Sequence, residues 1–108
     1  MVKRIASVIG LPAQHVAEYE RLHAEVWTSV HAQLSASNIT NYSIYRHEEL
    51  LFAYMEYTGT DFAVDMAAMA DDPETQRWWA VCSPLQRPVE GIADGEWWKE
   101  LGEVFHLD

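Results

Sequence analysis

The sequence predicts an α+β fold in which an antiparallel β-sheet carries helices on one face. Three observations support this: a short apolar run at residues 4–10, two adjacent β-prone runs at residues 41–46 and 50–57, and helical periodicity in the segments that follow them. With a strand near the C-terminus, the order is strand, helix, strand, strand, helix, strand. That βαββαβ order is typical of a ferredoxin-like sandwich, which we expect as a single domain over residues 1–108.

The first strand and the first helix follow from hydrophobic periodicity. The run RIASVIG, residues 4–10, is apolar and ends at a glycine, as strands often do. Over residues 13–36 apolar residues recur close to every 3.6 positions, which predicts one continuous helix. The apolar positions of this helix are Val16, Tyr19, Leu22, Val26, Val30 and Leu34.

A hairpin and two further helices occupy the middle of the chain. NYSIYR and LLFAYMEY are β-prone and are joined by the polar residues HEE, so we predict a β-hairpin. Residues 60–70 read as a helix with Thr60 as the N-terminal cap. Residues 71–82 read as another helix, with Asp72 at its cap and Pro73 at its first position.

The C-terminal quarter is predicted to be a loop followed by a strand. The proline-containing segment 83–95 reads as loop. The last strand is expected around residues 103–107, and residues 97–101 could equally form a helical turn.

Composition narrows the function classes. The chain has 17 acidic and 7 basic residues and a formal net charge of −10, which argues against nucleic acid and anionic membranes as partners. Its one cysteine, Cys82, cannot form an internal disulfide, and no apolar stretch is long enough to span a membrane. We therefore expect a cytoplasmic protein in which Cys82 is a buried, inert side chain.

The predicted topology leaves one face of the sheet without a cover. Helices lie on one face of such a sheet, and 108 residues leave no further element for the other face. A second copy of the chain packed sheet against sheet, or a ligand in that concavity, is the physical expectation. We predict a homodimer.

Tyr19, His23 and Trp27 are spaced four residues apart and would form one stripe along the first helix. The stripe has two explanations: core aromatics with one hydrogen-bonded histidine, or the edge of a site. Histidine can give and take protons near neutral pH, and neighbouring aromatic rings can stack on the C–H faces of a sugar. In the second explanation Trp27 backs the His23 ring, and the site performs proton transfer without a cofactor.

A metal site is not expected. His15, His23 and His31 are eight residues apart, roughly 12 Å per step along a helix, which is too far for two of them to share one ion. The adjacent Trp78 and Trp79 point about 100° apart on a helix, so one can enter the core while the other reaches a pocket; the alternative is that both lie in the core.

Four motifs in order resemble the L-rhamnose mutarotase family. EYERLHAEVW resembles its Tyr-x-x-x-His-x-x-x-Trp helix, and NYSIY followed by LLFAYMEY resembles its central hairpin. QRWW resembles its second-helix motif, and ELGEVFHLD resembles its C-terminal strand. The resemblance covers nearly the whole chain, although LQRPVEGIADGEWW, residues 85–98, replaces the family's Asn-Pro-Asp-Asn-type loop and leaves the preferred sugar open.

The resemblance implies a ferredoxin-like dimer, a dimeric α/β-barrel assembly, that interconverts the α and β anomers of L-rhamnose or a related 6-deoxy sugar. It assigns the role of proton donor to His23, delivering a proton to the ring oxygen, and leaves the second acid–base partner open. It assigns sugar binding to Tyr19, Tyr42, Trp78 and Trp79, with no cofactor and no metal. Two alternatives are a cofactor-independent oxygenase on the same dimeric scaffold and a non-catalytic sugar-binding module.

Overall fold

One antiparallel sheet organises the computed structural model, which describes residues 2–108. Within these residues the strands are β1 (Lys3–Gly10), β2 (Ile39–His47), β3 (Leu50–Tyr57) and β4 (Lys99–Leu101). Their spatial order is β2-β3-β1-β4, and every neighbouring pair is antiparallel. The predicted α+β, ferredoxin-like fold is confirmed.

Helices connect the strands along one face of the sheet. They are α1 (Val16–Ala24), α2 (Thr28–Ala36), α3 (Phe62–Asp71) and α4 (Pro73–Cys82), with short 3₁₀ turns at Ala13–His15 and Ser83–Leu85. None of these helices is both long enough and apolar enough to cross a membrane.

Alternation along the strands separates the two faces of the sheet. Ile5 and Ile9 of β1 are buried, as are Leu51, Ala53 and Tyr57 of β3, so these residues face the helices. The core is built where they meet the buried sides of the helices, and it includes Tyr19, Val30, Trp78 and Cys82.

The predicted continuous helix over residues 13–36 is wrong. The chain leaves helical geometry at residues 25–27, where Glu25 has φ −137° and ψ 67°, and Trp27 has φ −58° and ψ 137°. Val26, Trp27 and Thr28 are consecutive β-branched or aromatic residues, which lose side-chain freedom in a helix. The break divides the segment into α1 and α2 and removes Trp27 from the helical stripe.

Two smaller predictions also need correction. The last strand is Lys99–Leu101, not residues 103–107, and it pairs with Ala6, Ser7 and Val8 of β1. Beyond it Gly102 offers no side chain for packing, and Glu103 binds the Arg4 guanidinium through its carboxylate at 2.9 and 3.0 Å.

The third helix begins one residue later than predicted. Asp61, not Thr60, caps it, since the Asp61 carboxylate accepts a hydrogen bond from the Val64 N–H at 3.2 Å. The predicted Asp72 cap and Pro73 start of α4 are both confirmed, with the Thr75 N–H donating to the Asp72 carboxylate at 2.9 Å.

Candidate active site

A cavity of about 460 Å³ lies between the sheet and the helices. Every helix and two strands contribute to it, together with the segment between α4 and β4. Its lining consists of Tyr19, His23, Leu34, Tyr42, Ile44, Met55, Met66, Met69, Trp78, Trp79, Cys82, Ser83, Gln86, Trp97 and Trp98. All five residues predicted to form the site therefore meet in one cavity, although their roles stay predictions.

Tyr19 and His23 stack on each other inside α1. Their ring centroids are 4.0 Å apart and their planes differ by 22°. The spacing of four residues places both side chains on the same helix face, as the sequence predicted. Tyr19 is 3% exposed, so the pair lies at the inner wall of the cavity.

A backbone hydrogen bond fixes the tautomer of His23. Nδ1 lies 2.8 Å from the Tyr19 carbonyl oxygen, which can only accept, so Nδ1 carries the hydrogen. Nε2 of the neutral ring is then the nitrogen with the free lone pair. Burial lowers the pKa of His23 below its ordinary 6.5, and the bond to the Tyr19 carbonyl opposes that shift. His23 is therefore mostly neutral at pH 7, with Nε2 available as a base.

Trp27 does not back His23 as predicted. Because the helix breaks before it, Trp27 packs edge-on against Trp78, with ring centroids 5.1 Å apart. Trp78 in turn packs edge-on against His23 at 5.2 Å. The indole that contacts the His23 ring is therefore Trp78 of α4. Trp27 contacts Trp78 and supports the histidine only through it.

A β-bulge aims Tyr42 into the cavity. Thr40 pairs with Glu56, whereas Ser43 pairs with Tyr54, so β2 has one extra residue between these pairs. Asn41 takes up the extra residue with a φ of 48°, and its side-chain amide donates to the Glu56 carboxylate at 2.8 Å. The bulge shifts the alternation of β2, which turns Tyr42 toward the helices. Sequence reasoning placed Tyr42 in the site but gave no indication of the bulge.

The adjacent tryptophans of α4 differ in exposure, which agrees with the first of the two arrangements expected from the sequence. Trp78 is 6% exposed and joins the core, while Trp79 is 42% exposed at the mouth of the cavity. Cys82, one turn further along, is buried, and burial raises the pKa of its thiol to about 11. Such a thiol is a poor nucleophile at neutral pH.

The loop before β4 contributes residues that sequence reasoning did not include. Gln86, Trp97 and Trp98 line the cavity alongside the predicted residues. The repeated tryptophans at 97–98 could have suggested an aromatic wall, since they follow the pattern of residues 78–79. No pattern in the sequence around Gln86 indicated that it would line the cavity.

The cavity lining contains few side chains that can change protonation state near neutral pH. Among residues 2–108 it includes no carboxylate and no ammonium or guanidinium group. Burial raises the pKa of the Tyr19 hydroxyl above the ordinary 10.0; the pKa of Tyr42 shifts in the same direction although 41% of that residue is exposed, so both hydroxyls keep their protons at neutral pH. His23 is the lining residue whose ordinary pKa lies near neutrality. In the part of the chain described, no three His, Cys, Asp or Glu side chains converge as metal ligands would.

The family model described as L-rhamnose mutarotase matches residues 4–107. The chain belongs to the L-rhamnose mutarotase family. This confirms the family predicted from the four motifs. The predicted mutarotase activity is confirmed with it, and so is the enzyme class, an isomerase that interconverts sugar anomers.

Curated relatives of this mutarotase share about a third of its residues. The L-fucose mutarotase of Xanthomonas campestris is 36% identical over 98% of this chain and 89% of its own length. The L-rhamnose mutarotase of Opitutus terrae is 36% identical over 97% of this chain and 98% of its own length. The L-rhamnose mutarotase of Bacillus subtilis is 32% identical over 99% of this chain and all of its own length.

A solved structure supports the fold. The crystal structure of an L-rhamnose mutarotase from Formosa agariphila matches with a TM-score of 0.75, covering 98% of this chain and 99% of that one. The two sequences are 20% identical, so this likeness bears on the fold alone.

Proposed function

We propose that this mutarotase interconverts the α and β anomers of L-rhamnose, with the sugar bound in the cavity and His23 as the group that exchanges protons with it. One observation carries the proposal. In a cavity walled by aromatic rings, His23 is the lining group with an ordinary pKa near neutrality, and its Nδ1 is occupied by the Tyr19 carbonyl at 2.8 Å. That arrangement leaves Nε2 for the substrate.

The reaction opens the sugar ring and closes it on the other face. Opening removes a proton from the anomeric hydroxyl and adds one to the ring oxygen. Both oxygens are bonded to the same carbon, so one imidazole nitrogen can reach both. In our proposal Nε2 of neutral His23 takes the anomeric proton and the resulting imidazolium returns it to the ring oxygen; closure runs the same steps in reverse. This keeps the predicted proton delivery to the ring oxygen and makes His23 its own second partner.

The walls suit an uncharged sugar. Tyr19 and Tyr42 keep their hydroxyl protons and can donate hydrogen bonds to sugar oxygens, while the faces of Trp78 and Trp79 can stack on its C–H groups. With no charged group among the described lining residues, nothing there would compensate the charge of a sugar acid. Proton transfer alone completes the reaction, so we propose that it requires no cofactor.

L-Fucose is the second candidate substrate. The relative from Xanthomonas campestris, 36% identical to this chain, is named an L-fucose mutarotase. The test is anomer exchange by NMR magnetisation transfer with L-rhamnose, L-fucose and D-glucose at equal concentration. We expect L-rhamnose to be exchanged fastest. Faster exchange of L-fucose would reassign the substrate, and no acceleration with either deoxy sugar would overturn the proposed activity.

We further propose that the protein is a homodimer that pairs the helix-free faces of two sheets. Tyr45 and Phe52 lie side by side on that face and are 67% and 37% exposed. Past β4, Val104 is 99% and Phe105 is 80% exposed, an unusual position for large apolar side chains. A dimer would bury both sets. Light scattering at micromolar concentrations should give twice the chain's 12.4 kDa, and a monomer mass throughout would contradict the proposal.

We propose the cytoplasm as the site of action. Cys82 is a free and buried thiol, which is stable in a reducing compartment. Cell fractionation with an antibody to the chain would test this, and recovery outside the cytoplasmic fraction would contradict it.

A further inference from the structure

Gln86 is held in place from three directions. Its backbone N–H donates to the Ser83 carbonyl at 3.0 Å, at the end of the 3₁₀ turn. The next residue, Arg87, pairs with Gly10 through two backbone hydrogen bonds of 2.7 and 2.9 Å, which tie the loop to the end of β1. The Gln86 side chain then bridges two residues of the cavity wall, Tyr19 and Trp97.

The two side-chain bonds of Gln86 have a fixed direction. The indole nitrogen of Trp97 lies 2.8 Å from Oε1, and an indole N–H can only donate. The amide atom facing Trp97 must therefore be the oxygen. The amide nitrogen then faces the Tyr19 hydroxyl at 3.2 Å and donates to it. The Tyr19 oxygen is thus the acceptor in this contact.

The direction of this bond determines where the Tyr19 proton points. A phenol hydrogen lies in the plane of the ring, on one side of the oxygen or the other. With one side occupied by the Gln86 donor, the hydrogen takes the opposite side. Among residues 2–108 the structure gives the hydroxyl no protein acceptor there, and Tyr19 lines the cavity.

We propose that Gln86, oriented by Trp97, is a positioning residue that makes Tyr19 a dedicated hydrogen-bond donor to a sugar oxygen. This rests on the proposed binding of a monosaccharide in the cavity. It also gives a role to part of the segment 85–98, which departs from the family's pattern and to which the sequence resemblance assigned no role. The sugar oxygen concerned must be an acceptor in the bound state, such as a hydroxyl or the ring oxygen, within reach of the Tyr19 side chain.

Two substitutions of Gln86 separate this role from simple packing. Gln86→Glu keeps the shape of the side chain, but its carboxylate can only accept hydrogen bonds, from the Trp97 indole and from the Tyr19 hydroxyl. The Tyr19 O–H then points at residue 86 and no longer at the sugar. Gln86→Leu removes the amide and leaves the hydroxyl free to rotate toward the sugar. We therefore expect the near-isosteric Gln86→Glu to raise KM for L-rhamnose about tenfold and Gln86→Leu only about threefold, with kcat less affected. A role in packing alone predicts the opposite order.

A double variant tests whether Gln86 acts through Tyr19. If it does, Gln86→Leu should change KM by less than about 1.5-fold when Tyr19 is already Phe, because the hydroxyl it orients is gone. Trp97→Phe removes the indole donor and should raise KM roughly threefold in the parent. Trp98→Phe measures the effect of losing ring area from the same wall, because Trp98 makes no indole hydrogen bond among residues 2–108; it should raise KM by less than Trp97→Phe does.

Assaying the parent protein before the variants distinguishes a failure of the proposed function from a failure of the inference about Gln86. The parent protein is first assayed for anomer exchange, and sugar affinity is measured in parallel by tryptophan fluorescence. If the parent neither exchanges nor binds L-rhamnose or L-fucose, the proposed function fails. If the parent is active but Gln86→Glu is no worse than Gln86→Leu, or the double variant shows additive losses, the inference about Gln86 is overturned. Should Gln86→Glu fail to fold, the double variant and Trp97→Phe decide the question alone.

Discussion

Replacing His23 with asparagine tests the proposed chemistry most directly. Asparagine keeps a polar group of similar reach but cannot carry a proton at neutral pH. General acid–base catalysis contributes about 10²–10⁴-fold, and no other described lining residue has an ordinary pKa near neutrality. Most of that factor should therefore be lost. We expect the exchange rate between the anomeric protons of L-rhamnose, measured by magnetisation transfer, to fall at least ~100-fold.

The same substitution should affect binding and stability much less. Tyr19, Tyr42 and Trp78 still line the cavity, so sugar affinity should change by no more than about threefold. The variant loses the stacked contact with Tyr19 at 4.0 Å and the edge contact with Trp78, which together predict a decrease of about 1–2 kcal/mol in the free energy of unfolding. His15→Asn, outside the cavity lining, is the control. If His23→Asn exchanges the anomers as fast as the parent, His23 is a core histidine and the reasoning is refuted.

The pH dependence of the parent enzyme provides an independent check on the role of His23. Burial lowers the pKa of His23, so the ring loses its proton below the ordinary 6.5. If neutral His23 starts the reaction, the rate should rise with pH through that lowered pKa and stay level above it. If imidazolium were needed at the start, the rate would instead fall with pH over the same range. A profile that declines between pH 5 and 7 would contradict the proposed order of steps.

Three further substitutions test the surroundings of the site. Trp27→Ala should lower the free energy of unfolding by about 3 kcal/mol in urea, because it removes the partly buried indole that packs on Trp78; a change under about 1 kcal/mol would show that the contact is unimportant. Cys82→Ser should leave anomer exchange within about twofold of the parent and cost about 1–2 kcal/mol of stability for a buried hydroxyl; loss of activity with an intact fold would require a different mechanism. Gly10→Ala would put a Cβ 2.6 Å from the Arg87 carbonyl oxygen, so it should displace the loop of Gln86 and raise KM; an unchanged KM would show that the loop does not depend on this bridge.

Local patterns in the sequence predicted most of the fold. The apolar run of β1, the hairpin of β2 and β3, and the Asp72–Pro73 start of α4 all depend on residues close together in the chain, and all are confirmed. The helix break at residues 25–27 was missed because the apolar period continues through it. Hydrophobic spacing reports which face a residue prefers, and it does not report where backbone dihedrals change.

Contacts between site residues that lie close together in the sequence were predictable from local pattern, and contacts made over long range were not. Tyr19 and His23 belong to one helix, so their spacing alone predicts that they meet. Gln86 reaches Tyr19 across 67 positions of sequence, and the Gly10–Arg87 bridge, which also joins distant parts of the chain, holds its loop beside the end of β1. The bulge that turns Tyr42 inward depends on pairing between strands. Contacts of this kind are set by tertiary structure, which local pattern does not encode.

The break in the first helix also explains how the site stays rigid around His23, whose Nε2 must be free if it transfers protons as we propose. In a continuous helix, Trp27 would follow His23 on the same stripe and compete with substrate for the space beside the imidazole. With the chain broken at residues 25–27, Trp27 turns to pack on Trp78 at 5.1 Å, and Trp78 supports the imidazole edge-on at 5.2 Å. Tyr19 covers one face of the ring, and its carbonyl holds Nδ1. The imidazole is thus fixed through its face, its edge and Nδ1, while Nε2, the nitrogen to which we assign proton transfer, is left for the proposed sugar.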